Sequence, residues 1–167
     1  MILLLNPKPK PTQFNRYLES FVFNTMPMSL GFLAGYLEAK GIKAEILDEQ
    51  LVGFSYDYLR EKICSSNGPK VIGITVLTST YKRTCEIAGM IKGIDPAALV
   101  VIGGIHPTAA FEECLQEPFF DIVVRGEGEE TFYEIVKSVD SGGPLSAITG
   151  ISYKEKGRII NNVDRPL

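Results

Sequence analysis

The stretch VVIGGIHPTAAFEECLQEPFFDIVVRGEGEETF, residues 100–132, contains two apolar runs typical of buried strands. Each run ends in a polar turn with two glycines, and a segment with helical spacing follows each turn. Because glycine has no Cβ and permits positive φ, both turns leave the backbone open to a close neighbour. The stretch predicts two successive strand–turn–helix units whose bare turns lie at the same edge of a sheet.

The same alternation of strands and helices runs through the rest of the chain. The predicted strands are rich in aliphatic and β-branched residues and comprise residues 2–5, 43–47, 71–77, 99–102 and 122–124. The predicted helices comprise residues 29–39, 56–64, 81–91, 108–115 and 129–139. Such alternation favours a parallel sheet covered by helices on both faces. We therefore predict an α/β fold, a Rossmann-like (flavodoxin-like) three-layer sandwich with a five-stranded parallel sheet.

Two segments depart from this alternation. The connection over residues 6–27 contains three prolines and the aromatic-rich RYLESFVF, and loops of this length in compact domains are often functional. A ligand or partner role and an ordered surface loop are both open for it. At the other end, ITGISYKEKGRIINN predicts a C-terminal β-hairpin appended to the sheet. The predicted division is residues 1–145 for the sandwich and 146–167 for the hairpin and the start of a linker.

Composition excludes several classes of protein. The chain has 167 residues, 45% of them hydrophobic, which suits one globular domain. Its net charge is −3 and it has no block of Lys and Arg interleaved with aromatic residues, so neither nucleic acid nor membrane is expected as a partner. The apolar run MILLL is too short for a signal peptide or a span, which predicts a cytoplasmic protein. The three cysteines are widely spaced without CxxC, which predicts core or half-buried thiols rather than a metal site.

Topology predicts where a ligand binds. In an open parallel α/β sheet, ligands bind beyond the carboxyl ends of the strands. Polar turns follow three strands at that edge: residues 75–80, residues 103–108 and residues 125–129. Each turn also has a purely structural interpretation, because glycine ends strands, Thr108 can cap its helix and Glu129 and Glu130 favour a helix dipole. The turn after the first strand has neither GxGxxG nor GxxxxGK[ST], which disfavours a dinucleotide or ATP site.

Four segments together carry a family resemblance: IGITVLTSTY, VIGGIHPT, DIVVRGEGEETFYEIV and ISYKEKGRII. In this order they resemble the N-terminal cobalamin-binding domain of the B12-dependent radical S-adenosylmethionine enzymes, over essentially the whole chain. Such domains have a hydroxyl-x-leucine element on the third strand, matched here by Thr75 and Leu77, and a glycine pair ending the fourth strand, matched by Gly103 and Gly104. The resemblance implies that the nucleotide tail of cobalamin threads between them, with Thr75 hydrogen-bonded to the tail base.

The resemblance assigns roles to the other polar turns as well. The turn formed by Gly126, Glu127 and Gly128 would bond the ribose or phosphate of the tail. Under the corrin edge would lie Thr78, Ser79 and Thr80. The turn after the fourth strand would place His106 and Pro107 near the tail, with a hydrogen bond as the preferred role of His106 and cobalt ligation as the less favoured one.

One departure from related domains concerns the lower ligand of cobalt. Methionine synthase and mutase relatives carry Asp-x-His-x-x-Gly after the first strand, whereas NPKPKPTQFNRY here has no histidine. Radical enzymes of this type characteristically lack that histidine. The resemblance therefore implies cobalamin bound base-off, with no catalytic residue and no metal ligand in this chain.

The resemblance also implies a second domain. Radical S-adenosylmethionine enzymes hold a [4Fe–4S] cluster through CxxxCxxC in a barrel, and these 167 residues contain no such motif. We expect a fragment that is not catalytic by itself and that presents cobalamin to a radical SAM domain, for radical methyl transfer or oxidative cyclisation. The alternative is a cofactor-free, degenerate B12-like docking or lid domain. A flavin-binding or receiver domain fits less well, because the first strand ends in a proline-rich loop rather than in a hydroxyl-rich phosphate turn, and paired acids are absent there.

Overall fold

A mixed sheet of seven strands organises the computed structural model, which describes residues 1–10 and 27–166. The strands are β1 (Ile2–Asn6), β2 (Glu45–Asp48), β3 (Val71–Thr75), β4 (Leu99–Gly103), β5 (Ile122–Val124), β6 (Ile151–Glu155) and β7 (Arg158–Asn161). The helices are α1 (Met28–Ala39), α2 (Tyr56–Cys64), α3 (Tyr81–Ile94), α4 (Ile105–Ala109), α5 (Phe111–Cys114) and α6 (Glu129–Ser141), with a 3₁₀ turn at Leu145–Ala147.

The strand order is β2-β1-β3-β4-β5-β6-β7. Strands β1 to β5 are mutually parallel, β6 pairs antiparallel with β5, and β7 pairs antiparallel with β6. The predicted α/β sandwich is confirmed. Its sheet has seven strands because the hairpin β6–β7 continues the five parallel strands. The chain moves outward from β1 to β2 and then returns to β3, so the switch point lies between β1 and β3, beside the polar turns.

Helices cover both faces of the sheet, which explains why the inner strands β3, β4 and β5 are almost continuously apolar. Alternate residues of β3 and β4 pack on opposite sides. One face packs against α2, α3 and α5, and its buried strand residues include Ile72, Ile74, Val100 and Ile102. The other face, called here the α1–α6 face, packs against α1 and α6, and its buried strand residues include Leu4, Val71, Val101 and Val124.

The third strand ends at Thr75, two residues before its predicted end. Val76 is buried and still donates its N–H to the Gly103 carbonyl (2.8 Å), but Leu77 is 50% exposed. Thr80 closes the turn that follows: the Leu77 N–H donates to the Thr80 hydroxyl (3.0 Å), and the Thr80 N–H donates to the Leu77 carbonyl (2.9 Å). The predicted boundary was wrong because apolar composition alone does not separate the end of a strand from a turn with exposed apolar residues.

The single helix predicted over residues 108–115 is two short helices, α4 and α5. The break is at Ala110, whose φ of −132° and ψ of 39° are not helical. Helix α4 begins at Ile105, three residues before the prediction, and Pro107 lies in its first turn, where the missing N–H costs no helical hydrogen bond. His106 and Pro107 are therefore helical and do not belong to an open turn.

Other sequence predictions have mixed outcomes. The long connection over residues 6–27 lies largely outside the described residues. Cys114 is buried, which raises the pKa of its thiol to about 11, and Cys85 is half-buried, but Cys64 is exposed, so the prediction of core or half-buried thiols was wrong for Cys64. No helix among residues 1–10 and 27–166 is long and apolar enough to cross a membrane.

Candidate cofactor-binding cleft

A cleft of about 160 Å³ opens at the carboxyl edge of the sheet, on the α1–α6 face. Its floor is formed by β3, β4 and β5, its walls by α1 and α6, and its mouth by the turns after β4 and β5. The lining residues are Ser29, Leu30, Leu33, Gly73, Ile74, Thr75, Val101, Gly103, Gly104, Val124, Gly126, Glu127, Gly128, Glu129 and Phe132.

Two positions on the floor of the cleft, Gly73 and Gly103, are glycines and have no side chain. Thr75 lies beside Gly103 in the sheet register, and Gly73 lies beside Val101, so all four positions face α1 and α6. A Cβ built on Gly103 would lie 3.6 Å from the Val124 Cβ, an ordinary contact. Among the described residues such a Cβ would contact Val124 alone, so the space above Gly103 is open to a ligand.

The deep end of the cleft is closed by the ring of Phe132, which lies against Gly73. A Cβ built on Gly73 would approach the Phe132 ring to 2.8 Å and the Leu4 side chain to 3.0 Å. Glycine at this position is thus required by the packing of a protein side chain. Gly73 and Gly103 share a face, yet only Gly103 leaves empty space.

Gly104 has a different role from its neighbour. Its φ is +109°, and a Cβ there would lie 2.9 Å from the Val76 carbonyl oxygen and 3.2 Å from the Val76 nitrogen. Both conditions exclude a side chain regardless of any ligand. Gly104 is therefore needed for the turn from β4 into α4, and only Gly103 opens directly on the cleft floor.

Both wall helices begin at the mouth of the cleft. Because α1 follows β1 and α6 follows β5, their N-termini lie at the carboxyl edge of the sheet, and neither N-cap residue makes a side-chain hydrogen bond. Their first-turn N–H groups carry partial positive charge. The turn before α6 is open, since a Cβ on Gly126 or on Gly128 would meet nothing within 4 Å. The helix N-termini favour a polar or anionic group at the mouth, whereas the carboxylates of Glu127 and Glu129, which also line it, oppose an anion.

His106 lies outside the cleft, beside the turn after β3. Its Nδ1 is hydrogen-bonded to the Thr78 hydroxyl (3.2 Å), and its ring packs against Tyr81 with ring centroids 4.5 Å apart. Among the described residues its buried Nε2 has no hydrogen-bond partner. These contacts fasten α4 to the turn after β3, and they leave neither ring nitrogen free at the surface for cobalt.

The predicted site residues thus separate into two groups. The cleft brings together Thr75, Gly103, Gly104, Gly126, Glu127 and Gly128. The rim beside it, in the turn after β3 and in α4, contains Leu77, Thr78, Ser79, Thr80, His106 and Pro107. The roles predicted for both groups in cofactor binding remain predictions.

Sequence reasoning missed nine lining residues: Ser29, Leu30, Leu33, Gly73, Ile74, Val101, Val124, Glu129 and Phe132. Two of them had a usable signal. Residues two apart in a strand share a face of the sheet. Gly73 is therefore on the same face as Thr75, and Val101 is on the same face as Gly103. The helical wall residues had none, because the face that a helix turns toward the cleft depends on its packing against the sheet.

Arg125 connects the glycine turn to the hairpin and to the segment that follows it. Its guanidinium donates to the Ile151 carbonyl (2.9 Å) and the Asn162 carbonyl (2.6 Å), and it pairs with Asp164 (2.7 Å). Arg165, in the segment after the hairpin, pairs with Glu130 of α6 (2.6 Å). Residues 162–166, predicted to begin a linker, are thus bonded to the cleft-lining turn and to α6, while the division at residue 145 remains a prediction.

The comparison with protein families identifies the class. Residues 17–136 match the family model of the B12 binding domain. Since the match covers more than half of the chain, the chain belongs to the B12-binding domain family. The family predicted from the four sequence segments is thereby confirmed.

Relatives of known name extend the comparison. The chain is 38% identical over 138 residues to the anaerobic magnesium-protoporphyrin IX monomethyl ester cyclase of Rubrivivax gelatinosus, which covers 78% of this chain and 24% of the relative. It is 36% identical over 142 residues to an uncharacterized methyltransferase of Pyrococcus horikoshii, which covers 84% of this chain and 30% of the relative. The chain therefore spans less than a third of the length of either relative.

A solved structure shows the same fold. The radical S-adenosylmethionine methyltransferase TsrM of Kitasatospora setae, with cobalamin and a [4Fe–4S] cluster bound, superposes with a TM-score of 0.79 at 20% identity. The match covers 99% of this chain and 29% of TsrM. At this level of identity the similarity shows the Rossmann-like fold alone and does not assign the residues of the site.

Proposed function

We propose that this chain binds cobalamin base-off at the carboxyl edge of its sheet, with the nucleotide tail in the cleft between α1 and α6. The observation that carries the proposal is the open space of about 160 Å³ above Gly103, in a chain of the B12-binding family. We further propose that the bound corrinoid is presented to a radical SAM catalytic domain.

The interior of the cleft fits the tail base. Apolar cavities of about 150 Å³ admit a benzene ring, and this cleft is as large and open at one end. The base would lie over Gly103, where a branched side chain would take its place. Thr75, next to Gly103 on the floor, makes no side-chain hydrogen bond to another described residue, and its hydroxyl is available to the nitrogen that the base releases from cobalt.

The mouth of the cleft fits the ribose and phosphate of the tail. The turn of Gly126, Glu127 and Gly128 has no side-chain obstruction from either glycine, and because the Gly126 N–H already donates to the Thr108 hydroxyl (3.1 Å), the N–H groups of Glu127 and Gly128 would serve the ligand. The uncapped N-termini of α1 and α6 supply N–H groups and a favourable dipole for an anion. Glu130 is paired with Arg165 (2.6 Å), whereas the carboxylates of Glu127 and Glu129 line the mouth and oppose the charge of a phosphate.

The rim beyond the cleft would support the corrin ring. Leu77 and Ile105 expose 50% and 76% of their surface there, and Thr78 and Ser79 lie in the same turn as Leu77. The hydrogen bond between Thr78 and His106, together with Thr80 and the α4 residue Pro107, would hold that rim in shape. In this arrangement His106 positions the rim and does not ligate cobalt.

The proposed work of this chain is binding and positioning. When bound, the corrinoid supplies methyl-transfer or redox chemistry at cobalt, and the residues of the chain hold and orient it. The names of the relatives support two reactions for a larger protein, radical methyl transfer and oxidative cyclisation of a porphyrin ester. S-adenosylmethionine and the [4Fe–4S] cluster would belong to the catalytic domain.

The proposal is tested by comparing cobalamin with cobinamide, which has the same corrin but no nucleotide tail. Burying about 100 Å² of apolar base surface contributes about 2.5 kcal/mol, and release of the base from cobalt takes back part of that gain, so we expect cobalamin to bind more tightly than cobinamide, by up to roughly 50- to 100-fold. Equilibrium dialysis of the full chain against each corrinoid measures the ratio, and the visible spectrum of the bound cobalamin shows whether its base has left cobalt. Equal affinities with the base still on cobalt would exclude the cleft as the tail site, and no binding of either compound would indicate a cofactor-free docking domain.

A further inference from the structure

The cleft changes from polar to apolar with depth. At the mouth lie Ser29 and Glu129, each in the first turn of its helix. One turn further along the same helices, Leu33 and Phe132 line the interior. On the floor, Gly73 lies two residues behind Thr75 in β3, about 7 Å deeper at the usual rise of a strand.

Among the described residues, those that line the deep part of the cleft offer no hydrogen bond to a ligand. Its side chains are hydrocarbon and buried, with Val101 1% exposed, Val124 4% and Phe132 3%. Its backbone belongs to paired strands, with β3 between β1 and β4, and β4 between β3 and β5. Among the described lining residues, the one hydroxyl on the floor is that of Thr75, at the boundary with the mouth.

We infer that this cleft selects corrinoids whose lower base is a benzimidazole over those whose lower base is a purine. The inference rests on the proposed cobalamin site and deepens it. A benzimidazole attached to ribose has one free nitrogen, which matches the one hydroxyl of Thr75, and the rest of its surface is hydrocarbon. Adenine adds an amino group and further ring nitrogens, which would be buried against Val101 and Phe132 without partners.

The expected size of the discrimination follows from those unpaired groups. Burying a polar group without a hydrogen bond typically lowers affinity about tenfold or more. Adenine is also the weaker cobalt ligand, so release of the base from cobalt is easier in the purine compound. That difference favours the purine corrinoid, and a preference for cobalamin must therefore come from the cleft.

The first test is the affinity of the full chain for hydroxocobalamin and for pseudocobalamin, which carries adenine, measured by equilibrium dialysis with detection of corrin absorbance. We expect hydroxocobalamin to bind at least about tenfold more tightly. Equal affinities, or tighter binding of pseudocobalamin, would overturn the inference while leaving the proposed function intact. Failure to bind either corrinoid would overturn both.

The second test changes the floor. Val101→Thr places a hydroxyl in the deep part of the cleft, and Val100→Thr makes the same change in the same strand on the opposite face. We expect the ratio of the two affinities to fall about threefold or more in Val101→Thr and to stay unchanged in Val100→Thr. Because both affinities are measured on the same protein, a smaller fraction of folded protein affects both equally and leaves their ratio unchanged. An unchanged ratio in a folded Val101→Thr protein would overturn the inference, and if that variant does not fold, the ratio of the unmodified chain decides.

Discussion

A Gly103→Val variant is expected to fold as its parent does and to bind cobalamin about ten- to a hundredfold more weakly. Gly103 ends β4 outside the positive-φ region, and its added Cβ would make only an ordinary 3.6 Å contact with Val124. Valine also suits a strand. The two methyl groups would occupy the floor of the cleft, and overpacking of a close-fitting site costs about 1–3 kcal/mol.

The measurement is a spectral titration with hydroxocobalamin beside a thermal melt of the apo protein. Gly35→Ala is the control, because Gly35 is exposed on α1 and a Cβ there meets nothing within 4 Å. The control should bind cobalamin like the parent. If Gly103→Val melts normally and also binds like the parent, the tail base does not lie over Gly103.

Gly104→Val is expected to lose much of its folding stability before any ligand is added. A φ of +109° costs a residue with a side chain about 1–3 kcal/mol, and the Cβ would lie 2.9 Å from the Val76 carbonyl oxygen, a backbone atom that cannot move aside freely. The combined loss of about 2–6 kcal/mol is large beside a typical total stability of roughly 5–15 kcal/mol.

Urea unfolding of the apo protein measures this loss, and Gly103→Val is the matched control one residue earlier. Gly104→Ala should lose most of the same folding stability, because alanine already has the Cβ that makes the short contact and the positive φ unfavourable. A Gly104→Val protein whose unfolding midpoint equals that of the parent would contradict the turn geometry described for residues 103–105.

The contrast between the two glycines shows how far sequence reasoning reached. The sequence predicted the α/β sandwich and the edge at which the turns meet, because the alternation of strands and helices is regular. The family resemblance implied that Thr75 lies near Gly103. It treated Gly103 and Gly104 as a pair with one role. Their roles differ because one has a free Cβ position and the other faces the Val76 backbone, and this depends on the path of a neighbouring strand.

For a similar reason, the sequence could not predict which residues line the walls of the cleft or where His106 lies. Leu33 and Phe132 line the cleft only because α1 and α6 pack side by side on one face, where Tyr36 and Tyr133 meet with ring centroids 6.2 Å apart. His106 stands in a motif next to the glycine pair, and its helix turns it toward Thr78 and Tyr81. Proximity in sequence to a site residue thus did not place it in the cleft.

Release of the tail base from cobalt into the cleft changes the visible absorption spectrum of methylcobalamin, which is recorded with the full chain in excess over cofactor. We expect the base-off spectrum, because the base would lie over Gly103 with its nitrogen bonded to Thr75. Retention of the base-on spectrum when all of the cofactor is protein-bound would show that the base does not enter the cleft.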